Sequence, residues 1–134
     1  MLQYQEKTTM GWPITPEGLY RHLRWIHRET GGLHLYITEN GAAFDDTLTA
    51  DRKECRDPKR VSYLRSYINA CKRAAESGVP LKGYFVWSFI DNFEWSFGFE
   101  RRFGLVYCDY VNQRRIPKDS FYFYRDLIAG MERV

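Results

Sequence analysis

The run Leu33-His34-Leu35-Tyr36-Ile37-Thr38-Glu39-Asn40-Gly41 carries an apolar segment into a carboxylate and then stops it at Asn-Gly. Leu33, Leu35, Ile37 and Glu39 share one parity, so in a strand they face the same side of a sheet. An acidic residue thereby continues an apolar row. In open α/β sheets and α/β barrels ligands sit at the carboxyl ends of strands, because the loops there surround them while the strands hold the geometry. Taken alone, the stretch reads more simply as a solvated strand end ahead of an Asn-Gly turn.

A second run shifts that balance. Lys82-Gly83-Tyr84-Phe85-Val86-Trp87-Ser88-Phe89-Ile90-Asp91-Asn92-Phe93-Glu94-Trp95 is again apolar and again ends in polar groups. Indoles beside carboxylates suit a sugar: the CH face of a pyranose lies on an aromatic ring, and carboxylates accept its hydroxyl hydrogens in an otherwise dry pocket. Around the two runs the pattern alternates. Thr15 and Pro16 open a helix with Leu19, Leu23 and Ile26 on one side, and Gly31-Gly32 stop it (16–32). A strand over 33–39 follows, then a long polar loop from Asn40 through Arg56. Asp57 caps and Pro58 opens a second helix (57–78), with Val61, Leu64, Ile68, Cys71 and Ala75 at helical spacing. The strand over 81–90 is apolar on both parities, which predicts burial on both faces, as in a parallel sheet. An outer hairpin over 104–117 and a last helix over 120–129 complete an α/β segment of βα units in a single region, 1–134, after a lead-in loop at 1–15.

Composition sets limits on function. The chain has 134 residues, 44% hydrophobic and 17% aromatic, and a net charge of +3. Its Lys and Arg are dispersed among Asp and Glu, so nothing points to nucleic acid or an anionic membrane surface. Cys55, Cys71 and Cys108 show no metal-ligand or CxxC spacing, and their odd number suits free thiols in a reducing compartment. No segment has the length of a membrane span or the form of a secretory signal, so a cytoplasmic address is the default. No motif implies a cofactor or a metal.

The two runs together resemble the family-one glycoside hydrolases, the β-glucosidase group of retaining enzymes built on a (β/α)8 barrel. The resemblance extends to Met10-Gly11-Trp12-Pro13-Ile14, Pro16-Glu17-Gly18-Leu19-Tyr20, Arg102-Phe103-Gly104-Leu105-Val106-Tyr107 and Phe121-Tyr122. It implies a C-terminal fragment, about the last two strands of the TIM barrel with their helices, since a whole barrel needs about 250 residues. The opening Met1-Leu2-Gln3-Tyr4 looks like an interior loop of such a barrel. By the same resemblance Glu39 matches the nucleophile. Trp87 matches the platform beneath the glycone, Glu94 the carboxylate gripping its outer hydroxyls, Trp95 an indole donor and Phe103 an apolar wall, with Asn40 beside the nucleophile as a further substrate contact. The family's acid/base glutamate belongs to an Asn-Glu-Pro motif that this chain lacks.

None of the nearby acids is a good replacement. Asp45 and Asp46 read as solvated loop residues, and Asp91 as a backbone-bonding residue at a strand end. Arg101-Arg102 reads as a solvated loop pair that helps orient neighbouring carbonyls, not as a phosphate site. Trp12 and Trp25 read as core or interface residues, Tyr63 and Tyr67 as packing groups, and His22, His27 and His34 as surface or packing residues without metal-type spacing. Two parallel strands cannot close a barrel, so the open edges call for a complementary N-terminal barrel chain or for self-association. Three functions fit these observations. The chain is the nucleophile-bearing part of an enzyme acting on β-glucosides, an inactive sugar-binding patch, or a folding and assembly fragment.

Overall fold

In the computed structural model, which describes residues 6–134, helices and strands alternate along the chain. The tetrapeptide Met1-Leu2-Gln3-Tyr4, read above as an interior loop, lies outside the described residues. Helix α1 (Pro16–Glu29) starts on a proline, whose missing N–H costs nothing in a first turn. Thr15 does not cap it through its side chain. Its backbone N–H donates instead to the Tyr67 hydroxyl at 2.8 Å, so the helix start is held by a tertiary contact. Gly31 and Gly32, both at positive φ, turn the chain out of α1.

Strand β1 (Leu35–Asn40) follows. The loop expected to run unstructured to Arg56 contains an antiparallel pair, β2 (Thr47–Leu48) with β3 (Cys55–Arg56). Polar side chains build its turn: Asp51 accepts from the Lys53 amide at 3.1 Å, and the Thr49 hydroxyl accepts from the Glu54 amide at 3.1 Å. Asp57 does not cap helix α2 (Pro58–Glu76). Its carboxylate is taken by Arg60 at 2.5 Å and by the amide and hydroxyl of Ser120, which outcompete a local cap.

Strand β4 (Leu81–Val86) pairs in parallel with β1, in a sheet two strands wide that does not close. It stops at Val86, where the chain bends, instead of continuing to Ile90. One face of the sheet packs on the helices: Leu35, Ile37, Leu81 and Tyr84 meet Leu23, Cys71, Ala74 and Val79. The other face is open, with Tyr36 59% and Phe85 56% exposed. The expectation of burial on both faces therefore fails for this chain, because its helices lie on one side of the sheet only. Strands β5 (Val106–Cys108) and β6 (Arg115–Pro117) form an antiparallel hairpin, and α3 (Asp119–Ile128) ends the fold. A second core of Ala42, Phe44, Tyr63, Leu64, Tyr67, Leu105 and Phe123 lies where α2, α3 and the strand-end loops meet. Among the described residues no helix is long and apolar enough to cross a membrane.

Candidate active site

The ends of β1 and β4 come together closely. The Trp87 amide donates to the Asn40 carbonyl at 3.0 Å, and a Cβ at Gly41 would lie 1.6 Å from the Trp87 carbonyl oxygen. Only glycine fits there. Upstream, Ile37 pairs with Tyr84 and Asn40 with Val86, so β1 carries one more residue than β4 across that step. Such a bulge re-aims side chains. Leu35 and Ile37 turn to the helices, whereas Glu39 is exposed and lines a cavity. Glu39 thus does not extend the buried apolar row that its parity predicts; the bulge separates the two.

That cavity, of about 600 Å³, is lined by Glu39, Asn40, Gly41, Trp87, Glu94, Trp95 and Phe103, together with Trp12 and Tyr63. Asn40 is oriented by the Tyr84 hydroxyl, which donates to its Oδ1 at 2.6 Å. Burial raises the Tyr84 pKa and keeps that hydroxyl a neutral donor. Trp95 opens a 3₁₀ turn (Trp95–Phe97) at φ +43°, an uncommon conformation for a bulky residue, and the residue is 84% exposed. The Glu94 amide donates to the Gly98 carbonyl at 2.6 Å, closing the loop. Phe103 is buried, at 3% exposure, with Trp12 tilted against it at 6.1 Å between centroids.

Two lining residues escaped the sequence reading. Trp12, expected as a core or interface residue, is half exposed and faces the cavity; its place in the Met10–Ile14 motif was the available signal. Tyr63, from α2, stacks on Tyr67 at 4.2 Å, and burial followed by the neighbouring Tyr67 pushes its pKa up. Its helical position holds no hint of this.

A buried ionic cluster between the segments that leave β1 and β4 corrects two expectations and extends a third. The Asp46 side chain, expected in solvent, is 1% exposed and accepts from Arg60 at 2.8 and 2.9 Å. Asp91 does bond backbone, at the Gly104 and Cys108 amides, and also accepts from Arg102 at 2.6 Å. Arg102 does hold a neighbouring carbonyl, that of Cys108 at 3.0 Å, but it is anchored over Tyr107 at 4.0 Å instead of solvated. Both changes have the same cause: opposite charges from segments apart in sequence neutralise one another where water is excluded.

The cavity offers two carboxylates, Glu39 and Glu94, among the aromatic faces of Trp12, Trp87, Trp95 and Phe103. Such a surface can stack a pyranose and accept its hydroxyl hydrogens. The chain is 53% identical over 124 residues to a 1,4-beta-D-glucan glucohydrolase of Thermotoga neapolitana, covering 92% of this chain and 28% of that protein. It is 51% identical over 124 residues to Beta-glucosidase A of Thermotoga maritima, again covering 92% of this chain and 28% of the relative. Among solved structures, a family 1 b-glucosidase from Thermotoga maritima superposes with a TM-score of 0.93 at 46% identity, covering 100% of this chain and 30% of that one. The chain thus spans less than a third of the length of these relatives. The sequence pattern of Glycosyl hydrolase family 1 matches residues 2–132, and the chain belongs to that family.

Proposed function

We propose that this chain is the nucleophile-bearing, C-terminal part of a retaining β-glycosidase that hydrolyses unphosphorylated β-glucosides, with its two longer parallel strands as the last two of a (β/α)8 barrel. The observation that carries the reading is the shared cavity, in which Glu39 stands at the end of β1 opposite Trp87, Glu94 and Trp95 from the end of β4. Glu39 attacks the anomeric carbon. Trp87 supports the glycone, Glu94 and the Trp95 indole take its hydroxyls, Phe103 closes the apolar side and Asn40 flanks the nucleophile. A phosphate on the sugar would meet the Glu94 carboxylate and be repelled.

Retention needs a second carboxyl group about 5 to 5.5 Å from the first. Asp46 and Asp91 are committed to buried ion pairs and do not line the cavity. The acid/base group is then supplied by a complementary N-terminal barrel part. Without it the alkoxide must leave unprotonated, at a loss of about 10² to 10⁴ in rate, and lost sugar contacts deepen the deficit.

The test is hydrolysis of an aryl β-glucoside by the purified chain, alone and mixed with the upstream barrel segment of a relative. Activity is expected in the mixture only and is absent when the chain carries Glu39→Gln. Silence from a confirmed mixed complex would refute complementation. Robust turnover by the contaminant-free chain alone would refute the need for a second part.

A further inference from the structure

We propose that Lys118 is a positioning residue that ties the two strand-end loops of the candidate site together, so that this half of the site is assembled within the chain itself. Lys118 is fully buried, at 0% exposure. Its Nζ donates to Asp46 Oδ2 at 2.5 Å and to Asp91 Oδ1 at 2.8 Å. Asp46 lies on the segment that leaves Glu39, and Asp91 on the segment that leaves Trp87. One ammonium therefore spans the two segments that follow the candidate nucleophile and the candidate sugar platform.

The surrounding groups make that bridge rigid. Arg60 holds Asp46 from the other side, donates from Nε to the Ala42 carbonyl at 3.3 Å and from Nη2 to the Arg102 carbonyl at 2.7 Å. Asp91 accepts from the Gly104 amide at 2.9 Å. Phe103 is thus gripped on both flanks, through the Arg102 carbonyl and the Gly104 amide. A Cβ at Gly104 would lie 2.1 Å from the Asp91 nitrogen, so the contact exists only with glycine there. The Lys118 amide in turn donates to the Leu105 carbonyl at 3.0 Å, which fixes the bridging residue itself.

Stability alone is a weak explanation for such a cluster. A buried set of charges is commonly no more stabilising than apolar residues of the same volume, because desolvation offsets the attraction. Charge-assisted hydrogen bonds are directional, however, and hold segments at set distances. Here they join the segments after β1 and β4, the start of α2, the stretch around Phe103 and the start of α3. Asp46, Asp57 and Asp91 face Arg60, Arg102 and Lys118, so loss of one ammonium leaves carboxylates unbalanced between the two loops.

The test uses the chain labelled with fluorotryptophan and read by fluorine NMR. Trp12, Trp87 and Trp95 line the cavity, whereas Trp25 sits on α1, stacked on His22 at 5.6 Å, and reports the fold away from it. In Lys118→Met the three cavity resonances are expected to shift or broaden while Trp25 keeps its folded position. Cavity resonances unmoved in the folded variant would overturn the proposal. If Trp25 is lost as well, Lys118→Met is combined with Asp46→Asn to restore charge balance. The pair is expected to recover Trp25 and leave the cavity resonances displaced. Recovery of all four resonances, or loss of Trp25 in both variants, would make Lys118 a purely structural residue and overturn the proposal. This readout needs no hydrolysis, so it fails separately from the glycosidase reading on which the word site rests. In a reconstituted enzyme, Lys118→Met is expected to lower kcat by about 10²-fold, the cost of a ~1 Å misplacement.

Discussion

Gly41 is the residue on which the meeting of the two strands depends. A methyl group there would collide with the Trp87 carbonyl oxygen, which is backbone and cannot swing aside. Overpacking of this kind typically costs about 1 to 3 kcal/mol, so Gly41→Ala is expected to lower the urea midpoint of the isolated chain. An unchanged midpoint would mean that the strand ends tolerate separation. Glu39 behaves oppositely, being exposed and without a structural load. Glu39→Gln should leave that midpoint unchanged while abolishing hydrolysis by a reconstituted enzyme. The cysteines complete the residue scale. All three are buried, and burial pushes Cys55 up to about 12 and Cys71 to about 11, so thiolate is scarce at neutral pH. A chromogenic disulfide is expected to react slowly with the folded chain and quickly once urea unfolds it.

Elements are joined by a few directed contacts. α1 and α2 are clamped by Arg73, which donates to Glu17 at 2.9 Å and lies over the Tyr20 ring at 4.3 Å. The hydrogen bond from Arg73 lowers the Glu17 pKa below its ordinary value. A depressed carboxyl pKa contributes stability that is present above the unfolded value and is lost as pH falls through the folded one. Arg73→Gln is therefore expected to return the Glu17 pKa, followed by NMR, toward the ordinary carboxylate range. The acid limb of the stability profile should flatten with it. The helices were readable because apolar spacing and Pro/Gly punctuation are local signals, as at Pro16, Pro58 and Gly78. The β2–β3 hairpin was not, since two-residue strands leave no periodicity to read.

At the scale of the whole molecule, the exposed apolar surface beside β4 is the dominant feature. Phe85, Phe89, Phe121, Tyr124 and Ile128 line an apolar groove of about 420 Å³ between β4 and α3. A continuous exposed apolar surface of this kind marks an interaction site. Four copies could supply the eight strands of a closed barrel, but each brings α1, α2 and α3 where two crossover helices fit. α3 of one copy and α1 of the next would compete for one place. Sedimentation is accordingly expected to show no closed tetramer, and an upstream barrel segment should bind, raise the melting temperature and suppress the fluorescence of a hydrophobic dye. A discrete, dye-silent tetramer of the chain alone would reverse that conclusion.

By itself the sequence determined the family, the alternation of helix and strand, and the residue types of the candidate site. Those are carried by short contiguous runs such as Ile37–Gly41 and Glu94-Trp95, whose meaning survives without the third dimension. Only the tertiary structure decided where Glu39 points, because a bulge is a mismatch between two strands and exists in neither alone. It likewise decided that Trp12 and Tyr63 join the cavity and that Asp46, Asp91, Arg102 and Lys118 are partners in one buried ionic cluster. A charged residue in a loop is solvated or buried according to which opposite charge the fold brings to it, and that choice is made by segments far apart along the chain.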